Sequence, residues 1–187
     1  MVAPSKFAHV VYNTHRYEEM IQWYLDVFEA KLQNKTDQLA FITYDDEHHR
    51  MAFVNLGEVD GEAPKKPDGV GVHHVAYTWD TLTDLMDVYK RLKARGILPT
   101  FSVRHGPTFS MYYADPDGNG MEFQIDILTV KEANAFMESD AFHANPIGEE
   151  FEPDDIVAKL EAGEPLEQAV LRSDQGFPDG GVHLGSP

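Results

Sequence analysis

Apolar residues along this chain fall into two recurring patterns, an alternation of period two and a stripe of period 3.6, and the switches between them predict its elements. Residues 7–13 are apolar and aromatic, with Phe7, His9, Val11 and Asn13 on one face and Val10 and Tyr12 on the other, which predicts a strand. Asn13 and Thr14 offer a helix N-cap. Tyr17, Met20, Ile21, Tyr24, Leu25 and Phe28 then recur at helical spacing, predicting a helix over 15–29 with one buried stripe. Two further strands are expected at 38–44 and 49–56, separated by the polar turn Asp45-Asp46-Glu47, with a weaker strand at 30–34. Residues 57–71 lack apolar periodicity and are rich in Gly, Pro, Lys and Glu, so they read as a connection.

The pattern then starts again. A strand at 72–79 is followed by the cap candidates Asp80 and Thr81 and by a helix burying Leu82, Leu85, Met86, Tyr89 and Leu92, which Gly96 closes. Strands at 97–103 and 108–114 lead to Asp115-Pro116-Asp117-Gly118-Asn119, where Pro presets φ and Gly or Asn accepts a positive φ, so the chain reverses into a strand at 120–126. An offset of 65 positions carries His9 onto His74, Tyr17 onto Leu82, Met20 onto Leu85, Ile21 onto Met86 and Tyr24 onto Tyr89. The chain is therefore an internal duplication. The expected fold is α+β: two tandem βαβββ repeats, about 7–57 and 71–126, in a paired domain 1–128 whose mixed sheet is cupped around a site. Residues 129–187 lie outside the duplication. A helix is expected at 131–137, another opened by Pro153 and ended by Gly163, and a short one at 166–171, before a Gly/Pro tail from Asp174 that is expected to fray.

Composition narrows what such a fold can do. Its 187 residues, 42% of them hydrophobic, suffice for a buried core. A formal charge of −17, from 15 basic and 32 acidic residues, argues against nucleic acid or an anionic membrane as partner. No apolar run approaches the roughly 18 residues of a membrane span, and residues 1–6 hold no apolar segment of the kind a signal peptide needs, so a cytoplasmic location is expected. With no cysteine, disulfides, zinc-thiolate and iron–sulfur centres are excluded, and any metal must be held by nitrogen and oxygen.

Three residues contradict their surroundings: His9, His74 and Glu122 each stand among apolar neighbours in strands expected to be half buried. Singly, each histidine reads as an ordinary core or edge residue and Glu122 as solvent-facing. The duplication changes that balance, because histidines at equivalent repeat positions converge if the repeats pair about a pseudo-two-fold axis, and the closing strand of the second repeat brings a carboxylate near them. Two imidazoles and a carboxylate suit non-haem Fe(II), with Mn(II) as a substitute.

The paired βαβββ pattern, His74-Val75-Ala76-Tyr77 in a first strand, and the run from Tyr112 through Asp115-Pro116-Asp117-Gly118-Asn119 to Glu122-Phe123 resemble the vicinal oxygen chelate superfamily, and within it the type I extradiol ring-cleaving dioxygenases. The resemblance covers 7–126. It implies that His9, His74 and Glu122 hold Fe(II), that a catechol-type diol resembling 2,3-dihydroxybiphenyl binds it through both oxygens, and that O2 binds alongside. It further implies that His49, in His49-Arg50-Met51-Ala52-Phe53, is the acid/base, an assignment suited to an imidazole near neutral pH, and that His105 and Tyr112 lie against substrate oxygens. His48 stands beside His49, Tyr113 competes with Tyr112, and the spacing from His105 to Tyr112 departs from the family pattern. Most such dioxygenases carry four βαβββ units where this chain has two. Family habit makes a homodimer the expected assembly.

The competing readings are a glyoxalase-type isomerase or lyase, a metal-free small-molecule binding protein of the same fold, and a Mn(II)-dependent thiol or epoxide transferase. The isomerase needs a fourth ligand from the closing strand of the first repeat, and setting Met51-Ala52-Phe53 beside Met121-Glu122-Phe123 puts Ala52 there. All three candidate ligands are present, which counts against the binding protein. The transferase needs basic residues to grip an anionic substrate, and few stand near the expected site. Val11, Ala76 and Thr78 share the face of the candidate ligands and predict a small, mostly apolar lining.

Overall fold

The computed structural model describes residues 2–66 and 69–185; residues 67 and 68 of the expected connection and the end of the tail lie outside them. The duplication becomes two compact units, one formed by Met1–Gly71 with the turn Asp115–Asn119, the other by Val72–Ala114 with Gly120–Pro187.

The first unit runs β1 (Val10–Thr14), α1 (Tyr17–Phe28), β2 (Lys31–Lys35), β3 (Leu39–Thr43) and β4 (Met51–Asn55), in the sheet order β1-β4-β3-β2. β1 runs parallel to β4 and the other pairs are antiparallel, the signature of a βαβββ unit. The helical stripe buries Tyr17, Met20, Ile21, Tyr24 and Val27, while Ile42, Met51 and Phe53 fill the sheet side of the same core. β2 is exposed at every residue, which explains its faint signature: its backbone bonds to β3 hold it in place, with an irregularity between Leu32 and Asn34. The cap differs from expectation. Arg16 occupies the N-cap without a side-chain bond, and Thr14, buried at the end of β1, accepts instead from the Arg16 amide at 2.8 Å.

Asp115 organises its turn. One carboxylate oxygen accepts from the amides of Asp117 (3.0 Å) and Asn119 (2.8 Å), the other from the Asn119 side chain (2.8 Å) and the Tyr24 hydroxyl (3.1 Å). Gly118 takes the positive φ of +83° that the reversal requires. The Arg16 guanidinium meets Asp117 at 2.7 Å and also donates to the carbonyls of Pro64 and Ala63.

The second unit repeats the plan with β5 (His74–Thr78), α2 (Leu82–Ala94), β6 (Phe101–Arg104), β7 (Thr108–Ala114) and β8 (Gly120–Asp126), then adds α3 (Val130–Met137), α4 (Asp140–Ala144), β9 (Glu149–Glu150), α5 (Pro153–Glu161) and α6 (Glu167–Val170). Its sheet order is β5-β8-β7-β6-β9. Thr81 caps α2 by accepting from the Asp84 amide, and Arg95 is the C-cap, with Gly96 following at φ +77°. Leu85, Met86 and Leu92 share the core with Met121, Phe123 and Tyr113.

The extension is structured along most of its length. β9 adds a fifth strand to the edge at β6. Asp154 of α5 accepts from the Tyr89 hydroxyl (2.8 Å) and the Lys93 ammonium (2.6 Å) of α2. The tail was expected to fray, yet three backbone bonds tie it down: Gly180 to the Glu132 carboxylate, His183 to the Ile127 carbonyl, and Leu82 to the Leu184 carbonyl. No described helix is long and apolar enough to cross a membrane.

Replacing Asp115 with Ala strips acceptors from two backbone amides, one side-chain amide and one phenol in a buried turn. The expected cost is about 2–4 kcal/mol, read as a lower denaturation midpoint in urea with an unchanged slope; a loss within 0.5 kcal/mol would show that the turn holds without its aspartate.

Candidate active site

Glu122 is placed by register. In the second unit β5 pairs parallel with β8 so that Ala76 faces Glu122, and β7 pairs antiparallel with β8 so that Tyr112 faces it from the other side. Alternation sends Met121, Phe123 and Ile125 to the helix-covered face and leaves Glu122 on the opposite one. There its carboxylate is only 6% exposed, in a setting where an unmatched charge is costly. It is matched by His74 and by the hydroxyl of Tyr112. His74 Nε2 lies 3.0 Å from one carboxylate oxygen and His105 Nε2 lies 3.6 Å from the other.

His74 is the first residue of β5, where the sequence pattern had placed it mid-strand. Its partner across the ladder is Gly120, and a Cβ there would come within 2.5 Å of the His73 carbonyl oxygen, so the close approach of the two strands at His74 requires glycine. The His74 ring also stands edge-on to Tyr112, with centroids 5.2 Å apart.

Tyr112 and His105 form a chain of polar contacts. The His105 Nδ1 atom lies 2.5 Å from the Ile147 carbonyl oxygen, which can only accept, so Nδ1 carries a proton. In the neutral ring Nε2 then has a bare lone pair; the Tyr112 hydroxyl is 2.9 Å from it and has one proton to share between this nitrogen and Glu122. Burial, then the charge of Glu122 and its hydrogen bond, push the Tyr112 phenol well above its ordinary pKa, so it stays a donor. Tyr113 has the opposite orientation, buried on the helix face beside Phe123.

The first unit holds the other two candidates. His9 is exposed and precedes β1 by one residue, again short of the expected mid-strand position, and its ring centroid lies 4.4 Å from that of His49. His49 is half-buried just before β4, edge-on to Phe41, and its Nδ1 is 2.5 Å from that of the exposed His48. Burial, followed by the neighbouring His9 and His48, holds the His49 imidazole below its usual pKa and so favours its neutral, proton-accepting form.

Arg50, which the sequence pattern did not single out, fixes this arrangement. Its guanidinium donates from Nε to both carboxylate oxygens of Asp45 (3.2 and 2.9 Å) and from Nη1 to the carbonyls of Phe7 (2.8 Å) and Ala8 (3.0 Å), the two residues leading into His9. Its own carbonyl accepts from the Val10 amide at 3.0 Å. The only sequence signal was a basic residue between His49 and an apolar strand with an acidic turn five residues before it.

The six expected site residues thus fall into two groups: His74, Glu122, His105 and Tyr112 in the second unit, His9 and His49 in the first. Among the described residues no three histidine or acidic side chains are gathered closely enough to hold a metal ion. The pair His74–Glu122 does fit half of a metal site. His74 Nε2 stands 3.0 Å from a Glu122 carboxylate oxygen, so the two donors lie side by side. An imidazole nitrogen with a carboxylate oxygen is a donor pair for Fe(II) or Mn(II). Ala76, the register partner of Glu122, and Thr78 are exposed in this unit, and Val11 is exposed in the first.

Arg50→Met keeps the apolar stem and removes the bonds to Phe7 and Ala8. The expected result is a stability loss of about 1–2 kcal/mol together with disappearance of the His9–His49 ring contact in proton NMR; persistence of that contact would free Arg50 of any positioning role.

Comparison with known proteins agrees with this architecture. The chain is 46% identical over 174 residues to a Rhodococcus globerulus protein named biphenyl-2,3-diol 1,2-dioxygenase 2, covering 92% of this chain and 90% of that one. It is 38% identical over 175 residues to biphenyl-2,3-diol 1,2-dioxygenase 3 of the same organism, covering 92% and 91%. Among solved structures, a glyoxylase/bleomycin resistance protein/dioxygenase domain from a Frankia strain shares the fold, with a TM-score of 0.54 at 16% identity over 66% of this chain and 99% of that one. Residues 6–123 match the family described as the Glyoxalase/Bleomycin resistance protein/Dioxygenase superfamily, and the chain belongs to it.

Proposed function

We propose that this protein is an extradiol dioxygenase, which opens the ring of a catechol-type substrate resembling biphenyl-2,3-diol with O2 and uses Fe(II) held by His9, His74 and Glu122. The observation that carries the reading is the 46% identity along 92% of the chain to a protein named for that reaction. The side chains support it independently, because they supply a nitrogen–oxygen donor pair, a neutral imidazole and a protonated phenol in the two repeats. Mn(II) takes the same donors and is the alternative metal.

His9, His74 and Glu122 would hold the metal, which would supply Lewis-acid chemistry to the diol and O2. The remaining work belongs to the chain. His49, kept neutral by burial and by its imidazole neighbours, accepts the proton of a diol hydroxyl at its free ring nitrogen and returns it later. Tyr112 keeps its hydroxyl proton and donates a hydrogen bond to an oxygen as charge develops on it. His105, with Nδ1 committed to the Ile147 carbonyl, presents Nε2 on the same side. Ala76, opposite Glu122, leaves room for an aromatic ring.

The isomerase alternative is disfavoured by register. β1 pairs with β4 as β5 pairs with β8, with Val11 opposite Ala52 and Ala76 opposite Glu122. The position in the first repeat equivalent to Glu122 is therefore a methyl group, 2% exposed.

Protein loaded anaerobically with Fe(II) and mixed with air-saturated biphenyl-2,3-diol should form a yellow ring-opened product and consume one O2 per diol. Iron binding without oxygen uptake on any catechol would overturn the dioxygenase reading. Glu122→Ala should keep the fold and lose iron retention; a variant retaining one iron per chain and full turnover would remove Glu122 from the site. His49→Ala should retain iron while kcat falls about 10²–10⁴-fold, and unchanged turnover would assign the base to another group.

A further inference from the structure

The second unit carries a buried cation that the reaction scheme does not use. Arg172, beyond α6, has a side chain with no solvent exposure. A guanidinium so placed must be fully partnered. It makes a two-pronged pair with Asp174 (2.8 and 2.6 Å), donates to the Asn145 carbonyl (2.7 Å), reaches the His105 carbonyl (3.4 Å) and lies 5.3 Å from the centre of the Phe136 ring. Every one of these partners except His105 belongs to the extension.

The backbone around His105 is shaped for this contact. Gly148 has φ +110°, and a Cβ on it would strike the Arg104 carbonyl and come within 3.1 Å of His105 Cα, so the chain at 148 lies directly on the chain at 104–105. Gly106, at φ +108°, packs under the Phe136 ring, and the Gln175 side chain donates to its carbonyl at 3.2 Å. Asn145 closes the intervening turn, accepting from the Gly148 amide (2.9 Å) and donating to the Gly148 carbonyl (2.8 Å). Within that turn the Ile147 carbonyl is aimed at His105 Nδ1, while the Ile147 side chain is left exposed.

We propose that the C-terminal extension is a positioning device for His105, in which Arg172 and the Asn145–Gly148 turn hold the Ile147 carbonyl against Nδ1 and so fix the imidazole as the Nδ1–H tautomer, against the pull of the Glu122 carboxylate 3.6 Å from Nε2. Imidazole in water favours the opposite tautomer, so a fixed acceptor at Nδ1 is needed to invert the preference. Arg172 acts through His105 and is a positioning residue. That the tautomer matters for turnover rests on the dioxygenase reading; that it exists does not.

The test is long-range proton–nitrogen NMR of the ¹⁵N-labelled full chain without metal, at a pH where imidazoles are neutral, with the His105 signals assigned by their loss in His105→Gln. The wild type should show His105 protonated at Nδ1 and bare at Nε2. Arg172→Met and, separately, Asn145→Ala should shift His105 toward the Nε2–H form. In Fe(II)-loaded enzyme they should lower kcat on biphenyl-2,3-diol by about 10–100-fold with KM and iron content little changed, and Arg172→Lys should recover part of the loss. If Arg172→Met does not fold, Asn145→Ala carries the same comparison. A wild-type His105 protonated at Nε2, or variants that lose turnover while the tautomer stays fixed, would overturn the proposal. An Nδ1–H tautomer in a wild type inactive on every catechol would sink the dioxygenase reading and leave the positioning role standing.

Discussion

The second unit is organised by a carboxylate that its own strand buries. Glu122 lies between Met121 and Phe123, both without solvent exposure, and the alternation that sends those two into the helix-covered core holds Glu122 in place on the other face. A charge in that position cannot be left unmatched. His74 from the neighbouring parallel strand and Tyr112 from the antiparallel one match it, and His105 stands beside it from the hairpin end between β6 and β7. Packing thus fixes the charge, and the charge fixes which polar side chains stand around it.

The same backbone ladder in the first unit carries no such charge. Ala52 takes the place of Glu122 and Val11 that of Ala76, so the two repeats agree in register and differ in chemistry. Their histidines are also held differently. His9 is placed from within its own repeat, by Arg50 gripping the two carbonyls before it, with Asp45 orienting the guanidinium from the adjacent turn. His105 is placed from afar, by residues 145–175. A duplicated fold supplies equivalent positions; what it does at them depends on a handful of side chains.

Much of the fold was legible because duplication doubles the signal. The offset of 65 that aligns His9 with His74 also aligns the two helical stripes, and each predicted helix and strand of the repeats has a counterpart in the structure. The misreadings share a physical origin. Both histidines stand at the start of a strand or just before it, because parallel pairing begins at Val10 and at His74, and side-chain alternation does not encode where a ladder begins. β9 is two residues long, and the docked tail is held by single backbone bonds to distant residues, so neither has a periodicity to detect. Nothing local reveals that the guanidinium of Arg50 or Arg172 is satisfied by carbonyls far away in sequence. Tyr112 and Tyr113 were separable in principle: alternation with the buried Phe109 and Met111 assigns Tyr113 to the core face.

Register also bears on the chemistry that this fold can support in this chain. A fourth protein donor would have to come from the closing strand of the first repeat at the position equivalent to Glu122, where β4 presents the methyl group of Ala52. No neighbour on that strand can substitute by a slip of one residue, because Met51 and Phe53 are buried and a slip would turn the apolar set outward. On the proposed ligand set the first repeat therefore contributes imidazole nitrogen alone and the second contributes one imidazole and the carboxylate. Three protein donors would leave coordination positions open for a diol and O2, where a fourth from the first repeat would close one of them.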